Sequence, residues 1–190
     1  MLLNESVAYN SYEIIGGEKF MSPAANPLHA LILFKISKAI DNYMDEHEGG
    51  FVFTDTVDVH LPDGNIFMPD VTVITAENTG IITWSGAIYG VPDMVVEVLS
   101  PSTRKKDLTV KKDVYESNGV KEYWIVDPSA KTVDVYILRD GKFDFDESYH
   151  KYSEDELKKL TDKEKAELKT EIKISIFDDL RIKVKNIFLL

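Results

Sequence analysis

Glu97, Asp70 and Lys111 are the residues of this 190-residue chain whose types and settings point to chemistry. Glu97 lies in Pro92-Asp93-Met94-Val95-Val96-Glu97-Val98-Leu99-Ser100, a short run rich in β-branched and apolar residues and closed by Pro101. Such a run reads as a strand covered on both faces. A carboxylate there loses its hydration, and an unpaired buried charge costs several kcal/mol, on the scale of a small domain's net stability. The fold must supply a cation, a metal ion or a ring of donors. A structural salt bridge would meet that need, as would a functional site. Asp70 follows Pro69 within the apolar stretch Ile66 to Thr75. Proline removes a ladder donor, so the pair marks an edge, a bulge or a bend, where a solvated aspartate is the plain alternative. Two carboxylates from neighbouring strands can hold one divalent metal, which would also explain how Glu97 stays charged.

Lys111 belongs to a helix expected from Ser102 to Asn118. At helical spacing Leu108, Val110, Val114 and Tyr115 define its apolar arc, and Asp107 and Lys111 fall inside that arc. A lysine on a buried face should be aimed at negative charge, and Glu97 is the obvious target. The alternative is an Asp107–Lys111 surface pair worth a few tenths of a kcal/mol, with Lys112 nearer the polar edge. His29 opens the first long helix and shares a face with Ile32, Leu33, Ile36 and Ile40, where a hydrogen-bonded core histidine competes with a ligand. Asp93 shares the face of Glu97 by the strand period of two. It starts the strand after a proline, so a turn role competes with metal binding.

The elements that must position these residues follow from pattern. Tyr12 to Met21 reads as a hairpin turning at Gly16-Gly17, broken by Ser22-Pro23 to Pro27. A helix runs from Leu28 to about Met44 and is ended by Gly49-Gly50. Strands Phe51 to Leu61 and Ile66 to Thr75 are joined by Pro62-Asp63-Gly64-Asn65. A looser connection spans Ala76 to Val91. After the Glu97 strand and the Lys111 helix comes a strand from Glu122 to Val126, stopped by Asp127-Pro128. Strands near Thr132 to Leu138 and Phe143 to Tyr149 read as a peripheral hairpin at Asp140-Gly141. Ser153 to Glu156 is a capping box, and one exposed helix is expected to follow as far as Lys169. Ile172, Ile174 and Ile176 alternate like a strand, as do Leu180, Ile182 and Val184; this tail would pack on the body or on a partner subunit.

Composition sets the class. A hydrophobic content of 44% and a charged content of 29% are ordinary for a globular protein. One domain over residues 1–190 is expected, with its core at about 12–149 and a charged tail at 150–190. No stretch is long and apolar enough to predict a membrane span, and no secretory signal is evident, so a cytoplasmic location is expected. With no cysteine there are neither disulfides nor thiolate metal sites. The formal charge of −11 argues against a general nucleic-acid binder. Five basic residues (Arg104, Lys105, Lys106, Lys111, Lys112) against three acidic ones between Ser102 and Val120 nevertheless predict a local basic patch. There is no Gly-rich phosphate loop, no G-x-S-x-G elbow, no H-E-x-x-H and no zinc spacing among the four histidines. A lysine beside a carboxylate pair suits phosphate chemistry better than glycoside hydrolysis.

Taken in order, these residues resemble the PD-(D/E)XK nuclease superfamily and, more narrowly, its Uma-two branch of restriction-endonuclease-like proteins. The matching text is Tyr12-Glu13-Ile14-Ile15, Gly17-Glu18, Met21-Ser22-Pro23, His29, Met68-Pro69-Asp70-Val71 and Pro92 to Thr103. Asp107, Lys111 and Tyr115 follow, then Gly119 to Pro128. The resemblance covers roughly residues 12–138; the charged segment Ser153 to Lys169 looks like an addition to the usual plan. It implies an α/β fold with a mixed sheet, an α-β-β-β-α-β core, an N-terminal hairpin and a peripheral C-terminal tail. It also implies Mg²⁺ or Mn²⁺ held by Asp70, Glu97 and the Val98 carbonyl, with Lys111 orienting water or neutralising a phosphate oxygen. The superfamily lysine stands two residues after the acidic one, where this chain has Leu99, and Lys111 is expected to take its place. His29 stands near the first-helix position where glutamate is common; Asp93, Asp107 and Tyr115 are further accessory candidates. Arg104, Lys105, Lys106 and Lys112 would contact the nucleic-acid backbone. The implied activity is Mg²⁺-dependent cleavage of DNA by a homodimer. The rival reading is a degenerate nuclease fold that serves as a nucleic-acid-binding or protein-interaction module.

Overall fold

The computed structural model describes residues 12–21, 26–47 and 49–188, and the break expected over Ser22 to Ala25 falls outside them. The chain begins with β1 (Tyr12–Ile15) and β2 (Glu18–Met21), which form the expected hairpin. Helix α1 (Pro27–Glu46) follows. Its start is fixed locally: the Asn26 side chain accepts from the His29 amide at 3.0 Å, and Pro27 occupies the first turn, where its missing N–H is not needed. That cap orients the turn carrying His29.

The two long strands expected next are each broken in two. Phe51 to Leu61 splits into β3 (Gly50–Thr54) and β4 (Val59–His60), and Ile66 to Thr75 into β5 (Ile66–Phe67) and β6 (Val71–Thr75). β3 and β6 pair in one sheet, β4 and β5 in another. Asp70 therefore does not lie inside a strand. Pro69 cannot donate to a ladder, so the chain leaves the small sheet at Phe67, crosses at Met68 to Asp70 and enters the large sheet at Val71. The looser connection contains a 3₁₀ turn at Ala76–Ile81 and β7 (Ile88–Tyr89).

The Glu97 strand, β8 (Met94–Val98), is buried at every position. The following helix α2 runs on through Arg104–Lys106, Asp107–Lys111 and Lys112–Asn118, and its middle segment is a π turn. Gly119, with φ +89°, caps it in the left-handed region that favours glycine. β9 (Glu122–Asp127) runs parallel to β8; β10 (Thr132–Arg139) and β11 (Lys142–His150) continue antiparallel. The expected peripheral β10–β11 hairpin is thus one flank of the main sheet.

The large sheet has the order β11-β10-β9-β8-β6-β3 and the small one β2-β1-β5-β4-β7. One face of the large sheet, through Val71, Val73, Met94, Val96, Val98 and Trp124, packs on Ile32, Leu33, Ile36, Ile40 and Met44 of α1. The other face, through Ile74, Val95, Leu99 and Ile125, packs on Tyr115 of α2 and on Val59, Phe67 and Ile88 of the small sheet. Covering both faces is what makes β8 read as a continuous apolar run. By the period of two, Glu97 points to the second face, toward α2 and the small sheet.

The expected exposed helix beyond Ser153 is instead two short ones, α3 (Glu154–Lys159) and α4 (Asp162–Glu167). Thr161 and Glu164 form a second capping box that restarts the helix after Leu160. The tail ends in β12 (Glu171–Lys173), β13 (Arg181–Lys183) and α5 (Val184–Ile187). β12 and β13 pair with each other, and Ile172, Ile174, Leu180, Ile182 and Ile187 join the core beneath α1. The Ser175 amide also donates to Glu122 at 2.6 Å. The tail is therefore part of the body, and Ile174→Ala is expected to cost about 2–5 kcal/mol in urea denaturation, as for other fully buried aliphatics. A tail that merely rested on the surface would show no such loss.

Candidate active site

Lys111 is the centre of the buried polar cluster. Its Nζ lies 2.7 Å from Glu13 Oε1, 2.9 Å from Glu97 Oε1 and 3.5 Å from Asp107 Oδ1, and all four side chains are at most 5% exposed. Tyr115 donates to the same Glu97 oxygen at 2.9 Å. The lysine thus faces inward, onto Glu97. The expected apolar arc holds in half: Tyr115 is buried and Val114 packs against the core, but Leu108 and Val110 are exposed, while Asp107 and Lys111 are buried. The i, i+4, i+8 line of polar groups wins the inner face because three carboxylates and a lysine stabilise one another there, and the π turn widens the helix at that point.

Asp70 stands beside this cluster. Extending the β6–β8 register by one residue from Val71↔Val96 puts Asp70 opposite Glu97, and extending β3–β6 from Thr54↔Val71 puts Asp55 on its other side. Asp70 Oδ2 accepts from the Val98 amide at 2.6 Å and pairs with His29 Nε2 at 3.0 Å. His29 thus reaches the site from the first turn of α1.

Charge in this region is unbalanced. Glu13, Asp70, Glu97 and Asp107 face Lys111, Lys106 and His29; Lys106 sits 3.3 Å from Glu13. Burial raises the Glu97 pKa well above the ordinary carboxylate range; Lys111 opposes that rise, and Asp107, Asp70 and Glu13 add to it. Asp107 is raised too, chiefly by burial, and its Oδ1 has no hydrogen-bond partner. Burial works against the charged Lys111, yet Glu97, Glu13 and Asp107 outweigh it and raise its pKa. For His29, burial opposes protonation, and the Asp70 carboxylate outweighs it, so the ring's pKa lies above its usual value. Two like charges 4 Å apart repel by about 4 kcal/mol at an effective dielectric of 20, and repulsion of this kind adds to the burial that raises Glu97 and Asp107.

These donors suit a hard divalent cation. They are carboxylate oxygens in a region short of positive charge; Asp107 Oδ1 makes no hydrogen bond, though it lies 3.5 Å from the Lys111 ammonium. Among the described residues no three His, Cys, Asp or Glu side chains stand ready to grip one ion. An ion would depend on Asp70, Glu97, a backbone carbonyl and waters, which is the sparse protein ligation Mg²⁺ accepts.

Asp93 lies apart, at the opposite end of β8. Its Oδ2 accepts from the Thr75 amide, the Thr75 hydroxyl and Asn78, and its Oδ1 takes Lys121 Nζ at 2.6 Å. Burial raises its pKa, but these partners outweigh it and lower the net value. Asp93 ties β8 to β6, the turn role, and does not join Glu97. The basic patch also resolves into different tasks. Arg104 pairs with Asp127 at 2.5 Å, and Asp127, although desolvated, is lowered to about 2 by Ser129 and this guanidinium. Lys106 turns in toward Glu13, Lys112 lies over the Tyr136 ring at 3.8 Å, and Lys105 is exposed. Next to His29 a groove of about 420 Å³ opens between Asn26, Leu99, Ser100, Arg104 and Pro128.

Two contributors escaped the sequence reading as chemistry. Glu13 is 4% exposed although the hairpin pattern gave it no partner, and its match to the family motif was the one available signal. Asp55, raised by burial and by Asp70, directly follows β3 at the level of the proline break. Comparison with known proteins agrees with this architecture. The family model of Uma2, described as "Putative restriction endonuclease", matches residues 7–165. A solved structure from Anabaena variabilis ATCC 29413, described as a "putative nuclease belonging to DUF820", is similar with a TM-score of 0.66 and 17% sequence identity. The alignment covers 95% of this chain and 90% of that one. No curated protein matches the sequence.

Proposed function

The chain belongs to the Uma2 family, and from that premise we propose that it is a divalent-metal-dependent endonuclease that hydrolyses phosphodiester bonds in DNA. The observation that carries this reading is the surplus of buried carboxylates, Glu97 foremost, around one lysine beside Asp70. Asp70 and Glu97, with the Val98 carbonyl, would hold Mg²⁺ or Mn²⁺. The ion, when bound, acidifies a water and offsets charge developing on the phosphate.

The chain's own residues do the rest. The Val98 amide and His29 fix Asp70 Oδ2, and Lys111 and Tyr115 fix Glu97 Oε1, so both carboxylates meet a substrate without reorganising. The ammonium of Lys111 adds positive potential where a phosphate oxygen gains charge. It acts from α2, because the superfamily's lysine position is Leu99, which lines the groove instead. That groove, between the starts of α1 and α2, takes the strand flanking the cut, and half-exposed Arg104 contacts its phosphates together with Lys105. On a chain of charge −11, such local contacts and the ion must overcome a repulsive overall field.

The test is supercoiled plasmid incubated with the protein and Mg²⁺ or Mn²⁺, beside Asp70→Ala. Nicking or linearisation by wild type, abolished by EDTA and by the substitution, is expected. Cleavage retained by Asp70→Ala would discard this site. Cleavage by neither would favour the non-catalytic module, a reading that the net charge and Leu99 also support.

A further inference from the structure

The two edges of the large sheet are protected differently. The outer strand β11 carries Lys142, Asp144, Asp146 and Glu147, charges of the kind that keep an edge from pairing with another chain. The opposite edge, β3, is Gly50-Phe51-Val52-Phe53-Thr54 and carries no charge, proline or bulge. Among the described residues no strand pairs with its outer side. Phe51 and Phe53 stand on one face with Trp84 across them, its ring 4.8 Å and 6.5 Å from theirs. Trp84 is 72% exposed and Phe51 37%. The segment around Trp84 has no charged residue from Asn78 to Pro92, on a chain of net charge −11.

We propose that β3 is the interface through which two copies of this chain pair, edge to edge and antiparallel, about a twofold axis at Val52. The strand is its own complement. With Val52 facing the partner's Val52, Gly50 meets Thr54 and Phe51 meets Phe53 along the whole five-residue strand, and each outward amide finds a carbonyl. A twofold interface requires this reciprocity. Neither β3 nor the Asn78–Pro92 stretch adds like charge to the contact between two strongly negative chains. Pairing there joins the two large sheets into one, sets the aromatic clusters of the two copies side by side and leaves the carboxylate sites on separate protomers. The inference is independent of the proposed nuclease activity.

The absence of cysteine makes the axis directly testable with one introduced thiol. Facing residues of an antiparallel pair have Cα atoms about 4.5 or 5.5 Å apart, within disulfide range, whereas diagonal residues are about 7–8 Å apart, beyond it. Full-length Val52→Cys and Phe53→Cys would be oxidised under mild conditions and run on non-reducing gels, beside light scattering of wild type, Phe51→Lys and Trp84→Lys. We expect a wild-type dimer, a reducible covalent dimer from Val52→Cys but not from Phe53→Cys, and a dissociation constant raised about tenfold or more by each lysine. Trp84 is exposed enough that its variant folds even if Phe51→Lys does not. A monomer at every concentration would overturn the proposal and hand the edge to a strand of another protein. So would a dimer that ignores both lysines and fails to cross-link at Val52.

Discussion

Lys111→Met unfolds about 10 °C or more below wild type at pH 8. The substitution removes the one cation bound by Glu13, Glu97 and Asp107 together and keeps the aliphatic volume. Breaking a buried ion pair from one side costs about 3–5 kcal/mol, and for a chain of this length each kcal/mol is worth about 2–4 °C. The sign of the pH dependence follows from the raised carboxylates. Glu97 and Asp107 have folded pKa values above their unfolded values, so the folded state binds more protons above about pH 4. Their contribution to stability is complete below the unfolded pKa and is lost as pH rises through the folded one. Without Lys111 those pKa values climb further, and the deficit against wild type narrows at pH 5. Calorimetric scans at pH 5 and pH 8 read both parts; equal melting temperatures at both would end the account of Lys111 as the cluster's shared cation.

Glu97→Gln should separate function from stability. Glutamine retains an oxygen for Lys111 and Tyr115 to bond and removes a charge whose burial is penalised. Cleavage should fall by about 10²–10³-fold or more, since a preorganised charged group is lost where charge develops. Unfolding free energy at pH 8 should match or exceed that of wild type. At pH 4, where wild-type Glu97 is protonated, the two proteins should converge. Plasmid cleavage rates and urea titrations at the two pH values test this. A variant that is both inactive and strongly destabilised at pH 8 would make Glu97 a structural ion-pair member and no more.

The parts of the fold visible in the sequence were those written as local pattern. The β8 run between prolines, the apolar stripe of α1, the Gly16-Gly17 and Asp140-Gly141 turns and the Ser153 capping box all carry their own physical signature. The breaks at Asp55 and Asp70 were legible as irregularities but not as sheet changes, because a strand's pattern does not say which sheet will pair with it. The arc of α2 was misjudged at Leu108 and Val110 because helical spacing rewards apolar residues, whereas this inner face is held by charge. Glu13 had no local signal of burial; its partners lie on another element far along the chain. Asp93 shows the limit of strand period: sharing a face with Glu97 did not bring it into the same site.

The reach of Glu13 has a consequence for how the molecule comes into being. Its contact with Lys106 closes 93 residues of chain, and that with Lys111 closes still more. Contacts of such separation form late, after the loop entropy has been met by nearer pairings. During synthesis the N-terminal hairpin emerges well before α2 exists to receive it. A chain caught at that stage holds Glu13, Asp70 and Glu97 without the lysine to gather them. Assembly of the cluster therefore waits on the docking of the N-terminal hairpin against α2, and a half-folded copy lacks it.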